Sequence, residues 1–185
     1  MTGHEYLAQV LDQQKLSQKQ EDALRDVRVQ IETALRQRLG AGPRFYYGGS
    51  FGKRTMVKAS YDLDLVMYFP SETRDALAAI FAAVRSALTS AGYTAAYPKN
   101  VAIRVPGNGG FHVDVVPGKA QDATFEFATL YKSKEQTTLQ TSLKRHIEAI
   151  RHGSIRDDVK LLKLWRLRRG LDWSTFALEI GRAHV

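Results

Sequence analysis

One segment constrains the fold of this chain more than any other: the apolar run 61–69, Tyr-Asp-Leu-Asp-Leu-Val-Met-Tyr-Phe. Its content of Val, Tyr and Phe predicts a β-strand over residues 62–69. Because side chains alternate across a strand, Asp62 and Asp64 lie on the same face and can converge on one ligand. Two neighbouring carboxylates on a mostly apolar strand cost free energy unless a cation compensates them. The segment therefore predicts a cation site, with an exposed strand end as the plainer alternative.

A third carboxylate comes from another predicted strand. Asp114 interrupts the hydrophobic segment 111–116, which the hairpin signal Gly-Asn-Gly-Gly separates from a predicted strand over 101–105. If the strands of Asp64 and Asp114 are neighbours in the sheet, three carboxylates meet at one point. Such a trio can hold two magnesium ions, or manganese ions, about 3.5–4 Å apart and so promote an in-line displacement. His112 shares the strand face of Asp114, but we interpret it as a polar neighbour because the three acids suffice.

The composition narrows the kind of metal and ligand. With no cysteine, the chain can bind a metal only through oxygen or imidazole ligands, which favours hard ions such as magnesium. Lys and Arg outnumber Asp and Glu by 27 to 19, and the net charge of +8 attracts polyphosphates, nucleic acid or acidic membranes, or is simply a basic surface. No apolar run is long enough to span a membrane, and the N-terminus lacks the layout of a signal peptide, so we expect a cytoplasmic protein.

A glycine-rich segment precedes the aspartate pair. Residues 48–55 read Gly-Gly-Ser-Phe-Gly-Lys-Arg-Thr, and Gly-Gly-Ser predicts a turn. Glycines such as Gly49 let the backbone present N–H groups to a phosphate, while Ser50, Lys53 and Arg54 can complete an anion-binding loop. A plain turn is the commoner meaning of Gly-Gly-Ser alone, but its position just before two aspartates favours a phosphate site.

The rest of the chain indicates helices that flank a sheet. Ser17 and Gln20 form a capping-box signature ahead of a long amphipathic helix that ends at Gly40. The other expected elements are strands at 45–47 and 124–131, and helices at 5–13, from Ser71 as N-cap to Gly92, at 138–151 and at 157–169. This order predicts an α+β fold in which a mixed sheet with one inserted helix lies between helical segments.

The last predicted helix contains Lys163. Apolar residues spread around most of its circumference, so we expect the helix to be largely buried and Lys163 to need an anionic partner. The alternative is that the ammonium group reaches solvent at the end of its flexible stem. The many basic residues of the last two helices could line an RNA-binding surface, although solvated helix faces are the commoner explanation.

The spacing of these motifs resembles a known superfamily. Gly49-Ser50, then Asp62-x-Asp64 and a distant Asp114 look like the DNA polymerase beta type nucleotidyltransferases. The glycine-rich segment running into Ser60-Tyr61-Asp62-Leu63-Asp64-Leu65-Val66, with the later Leu161-Leu162-Lys163-Leu164-Trp165 and Phe176-Ala177-Leu178-Glu179, is most similar to the 2′-5′-oligoadenylate synthases and the bacterial cGAS/DncV-like cyclic oligonucleotide synthases. The resemblance implies a mixed-sheet catalytic lobe and a helical lobe, with the nucleotide in the cleft between them.

The resemblance also implies roles for particular residues. Asp62, Asp64 and Asp114 correspond to the catalytic residues that bind two magnesium ions, and Asp114 also to the group that activates the attacking hydroxyl. Arg54 stands where relatives often have a small residue. The predicted nucleotide-binding residues, which include a base-stacking aromatic at the last position, are Gly49, Ser50, Lys53, Lys163, Thr175 and Phe176.

The implied activity is transfer of a nucleoside monophosphate from ATP or another nucleoside triphosphate to a ribose hydroxyl, with release of pyrophosphate. The implied product is a linear or cyclic oligonucleotide that serves as a second messenger in antiviral defence. Three alternatives keep the same chemistry and change the acceptor: an RNA 3′ end, as in poly(A) or CCA addition, a small molecule, or a protein. RNA could also be an activator of the enzyme. A non-catalytic nucleic-acid sensor is a further alternative, although three retained aspartates argue against it. The residues do not indicate base specificity, linkage or oligomeric state.

We expect four segments along the chain: N-terminal helices over 1–40, a catalytic lobe over 41–135, the start of a helical lobe over 136–178, and an artefactual tail over 179–185. The tail, Glu-Ile-Gly-Arg-Ala-His-Val, can be encoded by a widely used sequencing adapter, AGATCGGAAGAGCACACGTC preceded by one G. We therefore exclude it from fold reasoning and expect the natural protein to continue past Leu178.

Overall fold

The computed structural model describes residues 1–94, 96–107, 110–151 and 153–172. In chain order its elements are α1 (Gly3–Gln13), α2 (Gln18–Leu39), β1 (Arg44–Tyr47), α3 (Gly49–Lys53), β2 (Leu63–Phe69), α4 (Leu77–Ser90), β3 (Tyr97–Pro98), β4 (Ile103–Pro106), β5 (His112–Ala120), β6 (Ala128–Lys132), β7 (Thr137–Thr141), α5 (Leu143–Glu148) and α6 (Gly153–Arg168). In this described part of the chain, every helix is too short or too polar to cross a lipid bilayer.

The strands form one mixed sheet around the parallel pair β2 and β5. β1 pairs antiparallel with β2 at the edge of the sheet. On its other side, β5 pairs antiparallel first with β4, which carries the short β3, and then with β6, which carries β7. The predicted α+β architecture with a mixed sheet is therefore confirmed.

Helices α2 and α4 cover one face of this sheet. α2 buries the apolar residues that predicted it, namely Leu24, Val27, Ile31 and Leu35. From β2, Leu63, Leu65 and Met67 enter the same core, so Asp64 lies on the opposite face of the sheet. A smaller cluster that includes Val66 and Leu130 lies on that second face. One side of β2 therefore stabilises the fold, and the other carries the predicted chemistry.

Two of the element predictions fail at the boundaries of helices and strands. Ser71 is not the N-cap of α4: its hydroxyl donates to the Glu72 carboxylate, and the helix begins at Leu77 after Ala76. A turn closed by the hydrogen bond from the Thr73 N–H to the Pro70 carbonyl follows β2 and delays the helix.

The second failure concerns residues 137–141, which form β7 rather than the start of a helix over 138–151. Gln136, with a φ of 55°, completes the tight connection from β6, and the threonines that follow favour a strand because they are β-branched. The sheet therefore continues beyond residue 135, where we expected the catalytic lobe to end. β3 was not predicted, and β6 starts at Ala128 rather than at residue 124.

The start of α2 agrees with its prediction in detail and can be tested. The Ser17 hydroxyl accepts a hydrogen bond from the Gln20 N–H at 3.3 Å, and the Gln20 side chain accepts one from the Ser17 N–H at 3.0 Å. We expect Ser17→Ala to lower the free energy of unfolding by about 1 kcal/mol, measured by urea denaturation, because the N–H loses its acceptor. Ser86→Ala, on the exposed face of α4, is the matched control and should leave the stability unchanged or slightly higher. Equal effects of both substitutions would contradict the role of the cap.

Candidate active site

The three aspartates meet where β2 and β5 run side by side. Asp64 lies directly opposite Asp114 in the parallel register, and Asp62 immediately precedes β2. The Asp114 side chain is 9% exposed, whereas that of Asp62 is 40% exposed at the end of the strand. The structure thus brings the predicted catalytic residues together on the sheet face that α2 and α4 leave open.

Two cations compensate Asp114. β4 places Arg104 opposite it, and the guanidinium donates from Nε to Oδ1 and from Nη2 to Oδ2, both at 2.7 Å. The Lys99 ammonium donates to Oδ2 at 3.0 Å. Burial raises the pKa of Asp114, but the hydrogen bonds from Arg104 and Lys99 outweigh it and hold the pKa below its ordinary value. Asp114 is therefore ionised at neutral pH.

Asp64 has no such compensation. Its side-chain carboxylate has no hydrogen-bonded or ion-paired partner among the residues that the structure describes. Burial, together with the charges of Asp114 and Asp62, raises the pKa of Asp64 to about 6. The ionised form is thus costly in this position, and a bound cation would relieve that cost.

The glycine-rich segment packs directly against Asp64. The Gly48 N–H donates to the Asp64 carbonyl at 2.8 Å, and Gly49, with a φ of 46°, begins α3. A Cβ at Gly49 would lie 1.6 Å from Asp64 Oδ2, so the carboxylate and the loop approach as closely as they do only because this residue is glycine. Gly-Gly-Ser is therefore the start of a short helix rather than the predicted turn, and Ser50 and Lys53 lie within that helix.

Lys163 reaches the same region from α6. Its side chain is buried, with the residue 6% exposed, and its ammonium donates to the Thr55 carbonyl at 3.2 Å and to the Thr55 hydroxyl at 2.9 Å. Lys163 itself is buried, so the alternative in which the ammonium extends into solvent is wrong. The expectation that the helix is largely buried is wrong as well, because only the face with Val159 and Lys163 is buried, whereas the apolar residues Leu162, Trp165 and Leu167 are exposed. The two oxygens of Thr55 join α6 to the end of the glycine-rich segment.

All these groups line one cleft of about 780 Å³. It contains the three aspartates, four of the predicted nucleotide-binding residues and several further cations. The predicted members are Gly49, Ser50, Lys53 and Lys163, and the further cations are Lys99, Arg104, Lys132 and Arg166. The cleft therefore places a carboxylate cluster beside a strongly cationic wall, which suits an anionic ligand.

Sequence reasoning missed Lys99 and Arg104. Counting outward from the predicted turn at 107–110 places Arg104 opposite Val113, whereas in the structure Gly107 is hydrogen-bonded to Phe111 and the register shifts by one residue, which places Arg104 opposite Asp114. Lys99 carries no local signal, because its contact with Asp114 depends on the path of the chain before β4.

The remaining predicted residues differ in position. His112 lies beside Asp62, with 3.6 Å between its Nδ1 and Asp62 Oδ1, which agrees with a polar neighbour. Arg54 lines a different cavity, together with Arg28 and Tyr47, rather than the cleft. Thr175 and Phe176, like the tail 179–185, lie outside the described residues.

The side chains in this cleft do not converge as a ready-made metal site. Among the described residues, no three His, Asp or Glu side chains are arranged to hold one ion. Both oxygens of Asp114 accept hydrogen bonds from cations, and those of Asp62 accept from Arg104 Nη2 at 3.0 Å and from the His112 N–H at 3.2 Å. Only Asp64 presents its carboxylate to the cleft without such a contact in the described part of the chain.

Comparison with known proteins identifies the class of fold. No family model matches the chain, and no curated protein sequence matches it. Among solved structures, the chain is similar to the CdnE cyclic dinucleotide synthase of Elizabethkingia meningoseptica with GTP and Apcpp, at a TM-score of 0.70 and 20% identity. It is also similar to the STING-associated CdnE c-di-GMP synthase of Capnocytophaga granulosa, at 0.75 and 17%, and to the Cid1 poly(U) polymerase bound to MgATP, at 0.65 and 14%.

These matches cover 89%, 95% and 95% of the chain, which in turn spans 74%, 62% and 53% of the three neighbours. At these sequence identities, the similarity shows a shared fold and nothing further. The chain has the nucleotidyltransferase fold that cyclic dinucleotide synthases and poly(U) polymerases share, and the fold implied by its motifs is confirmed.

The close approach of Gly49 to Asp64 gives a first prediction for the site. We expect Gly49→Ala to lower the free energy of unfolding by about 1–3 kcal/mol, because the added methyl group must displace the Asp64 carboxylate. Urea denaturation measures the change. Gly3→Ala is the control, since a Cβ at Gly3 would meet nothing within 4 Å. A wild-type stability for the Gly49 variant would show that the loop and the carboxylate are not held together.

The raised pKa of Asp64 gives a second prediction. The folded protein keeps a proton on Asp64 up to about pH 6, whereas the unfolded chain releases it near the ordinary pKa of 3.8, so the stability contributed by this group is lost as pH rises between these values. In EDTA at pH 7.5 we expect Asp64→Asn to raise the melting temperature by about 3–6 °C, and the difference to vanish towards pH 4. Asp26→Asn, an exposed carboxylate on α2, should show no such pH dependence. An unchanged or lower melting temperature for Asp64→Asn at pH 7.5 would contradict the electrostatic assignment.

Proposed function

We propose that this chain contains the catalytic core of a metal-dependent nucleotidyltransferase, which transfers a nucleoside monophosphate to a ribose hydroxyl and releases pyrophosphate. The observation that carries the proposal is the in-register pair Asp64 and Asp114, with Asp62 at the start of the same strand and Gly49 against Asp64. A carboxylate cluster beside a glycine-rich segment and a cationic cleft combines the two requirements of this chemistry, which are cation binding and a grip on a triphosphate.

The aspartates fit divalent ions by their chemistry. Magnesium and manganese prefer oxygen ligands, and Asp62, Asp64 and Asp114 supply carboxylates on one sheet face. Asp64 fits best, because its carboxylate has no hydrogen bond or ion pair among the described residues and burial raises its pKa in spite of the charges of Lys53 and Lys99. When bound, divalent ions would supply charge neutralisation for the triphosphate and the departing pyrophosphate.

The chain's own residues would bind and orient the triphosphate. Ser50 offers a hydroxyl donor, while Lys53 from α3 and Lys163 from α6 supply positive charge to the cleft. The cleft volume of about 780 Å³ lies in the range of small-molecule sites. We propose these three residues, with Gly49, as the nucleotide contacts within the described chain.

Asp114 suits the role of proton acceptor. Arg104 and Lys99 keep its carboxylate ionised and fix its orientation, and it lies across from Asp64 on the neighbouring strand. A carboxylate held in this way can orient an attacking hydroxyl and take its proton.

We also propose that α5 and α6 begin a helical lobe that forms the other wall of the cleft, since His146 and Lys163 line it.

The acceptor is the part of the proposal that depends most on the neighbours. The similarity to two cyclic dinucleotide synthases supports a nucleotide as acceptor and a cyclic or linear oligonucleotide as product. A second candidate, supported by the similarity to the poly(U) polymerase, is transfer to an RNA 3′ end.

The test is turnover with labelled ATP, GTP, CTP and UTP in magnesium. We expect wild-type protein to release pyrophosphate, and Asp62→Asn with Asp64→Asn to reduce the rate by at least about a thousandfold, because the cation site loses two charges. The double variant should remain folded by circular dichroism. Asp26→Asn, which removes an exposed carboxylate on α2, is the control and should retain full activity. Unchanged turnover in the double variant would contradict the assignment of the aspartates.

The products separate the two acceptors. Phosphatase-resistant products formed without added acceptor indicate oligonucleotide synthesis, whereas label found only on added RNA indicates transfer to a 3′ end. If pyrophosphate is released and neither of these products forms, the acceptor is a small molecule or a protein.

A further inference from the structure

Arg104 makes more contacts with the carboxylate cluster than any other described side chain. Its guanidinium is 17% exposed and forms a two-pronged pair with Asp114, at 2.7 Å from Nε and 2.7 Å from Nη2. The same Nη2 also donates to Asp62 Oδ2 at 3.0 Å. One positively charged side chain on β4 therefore links the two carboxylates that flank Asp64 in the site.

The nitrogen Nη2 lies between the carboxylates of Asp62 and Asp114. It donates to one oxygen of each, so a cation bound at either of these oxygens would meet the guanidinium. Magnesium binds carboxylate oxygens at about 2.0–2.1 Å, so an ion and the guanidinium nitrogen cannot occupy this position together. An ion that binds Asp62 Oδ2 would therefore have to displace Nη2 from that oxygen.

The geometry indicates which contact breaks. Asp114 is bound through both of its oxygens and its side chain is 9% exposed, so its pair with Arg104 is bidentate and shielded from water. Asp62 is bound through one longer contact, and its side chain is 40% exposed. Water and a cation can replace the contact to Asp62 more readily than the pair with Asp114.

We propose that Arg104 is a resident counter-cation of the site, which bridges Asp62 and Asp114 until a divalent ion displaces it from Asp62. Arg104 keeps its bidentate pair with Asp114 throughout and so acts as a positioning residue for that carboxylate. The proposal rests on the proposed function in one respect, since the displacing ion is the one that the nucleotidyl transfer uses. It predicts competition: the arginine that positions Asp114 weakens metal binding at Asp62.

The competition can be measured without turnover. Manganese binding to the full chain, followed by the loss of the free-ion electron paramagnetic resonance signal, gives a dissociation constant with no nucleotide present. We expect Arg104→Gln to bind manganese about tenfold more tightly, the factor that corresponds to one charge-assisted hydrogen bond removed from competition. Arg85→Gln, an exposed arginine on α4, removes the same charge far from the contacts of Arg104 and should bind manganese as wild type does.

A role of Arg104 in stability alone would not strengthen manganese binding. Manganese binding that is unchanged or weaker in a folded Arg104→Gln protein would overturn the proposal. If that variant does not fold, Arg104→Lys decides, because a single ammonium cannot hold both oxygens of Asp114 and reach Asp62 together. The Arg104→Lys protein should bind manganese more tightly than wild type. Wild-type manganese affinity in this variant would also overturn the proposal.

Asp64→Asn separates this inference from the proposed function. If wild-type manganese binding does not depend on Asp64, the metal site itself is wrong and the proposed function fails. If binding depends on Asp64 but neither Arg104 variant tightens it, the metal site stands and only the competition by Arg104 is refuted.

Discussion

The parallel pairing of β2 with β5 is the constraint on which the rest of the structure depends. It places Asp64 and Asp114 in register on one face, while Leu65 and Val115, one position further along, are fully buried beneath α2 and α4. A slip of one residue in either strand would move a carboxylate into the core and an apolar side chain into the cleft. The core therefore fixes the register of the acids, and the hydrophobic energy of the fold holds like charges together.

The negative charges of the three aspartates are not compensated equally. Asp114, the least exposed, accepts from a bidentate guanidinium and an ammonium, whereas Asp62 accepts one hydrogen bond from Arg104 and one from the His112 N–H and is partly exposed. Asp64 has neither kind of relief among the described residues, and its pKa rises accordingly. A purely structural ion-pair cluster would neutralise every member, since an uncompensated buried charge destabilises the fold. The uneven compensation at Asp64 supports the cation site proposed above.

Local signals in the sequence predicted much of this, and contacts between distant residues account for what was missed. The capping box of Ser17 and the shared face of Asp62 and Asp64 depend on a few adjacent residues, so spacing alone was enough to find them. The pair of Arg104 with Asp114 depends on the exact register of the hairpin, which symmetric counting about the predicted turn at 107–110 misses by one residue. β7 was read as helix because its residues are mostly exposed and polar, so no apolar alternation marked residues 137–141 as a strand.

The contact between α6 and the glycine-rich segment makes the two walls of the cleft interdependent. Thr55 is fully buried, its N–H donates to the Ser50 carbonyl at 2.9 Å, and its two oxygens accept from Lys163. A ligand that moves Ser50 therefore acts through Thr55 on α6, and a shift of α6 alters the position of Ser50. Because Asp64 is packed against Gly49, the residue before Ser50, the same chain of contacts reaches the carboxylate cluster. The glycine-rich segment, the carboxylate cluster and the position of α6 are thus linked by direct contacts between neighbouring residues rather than by distant effects.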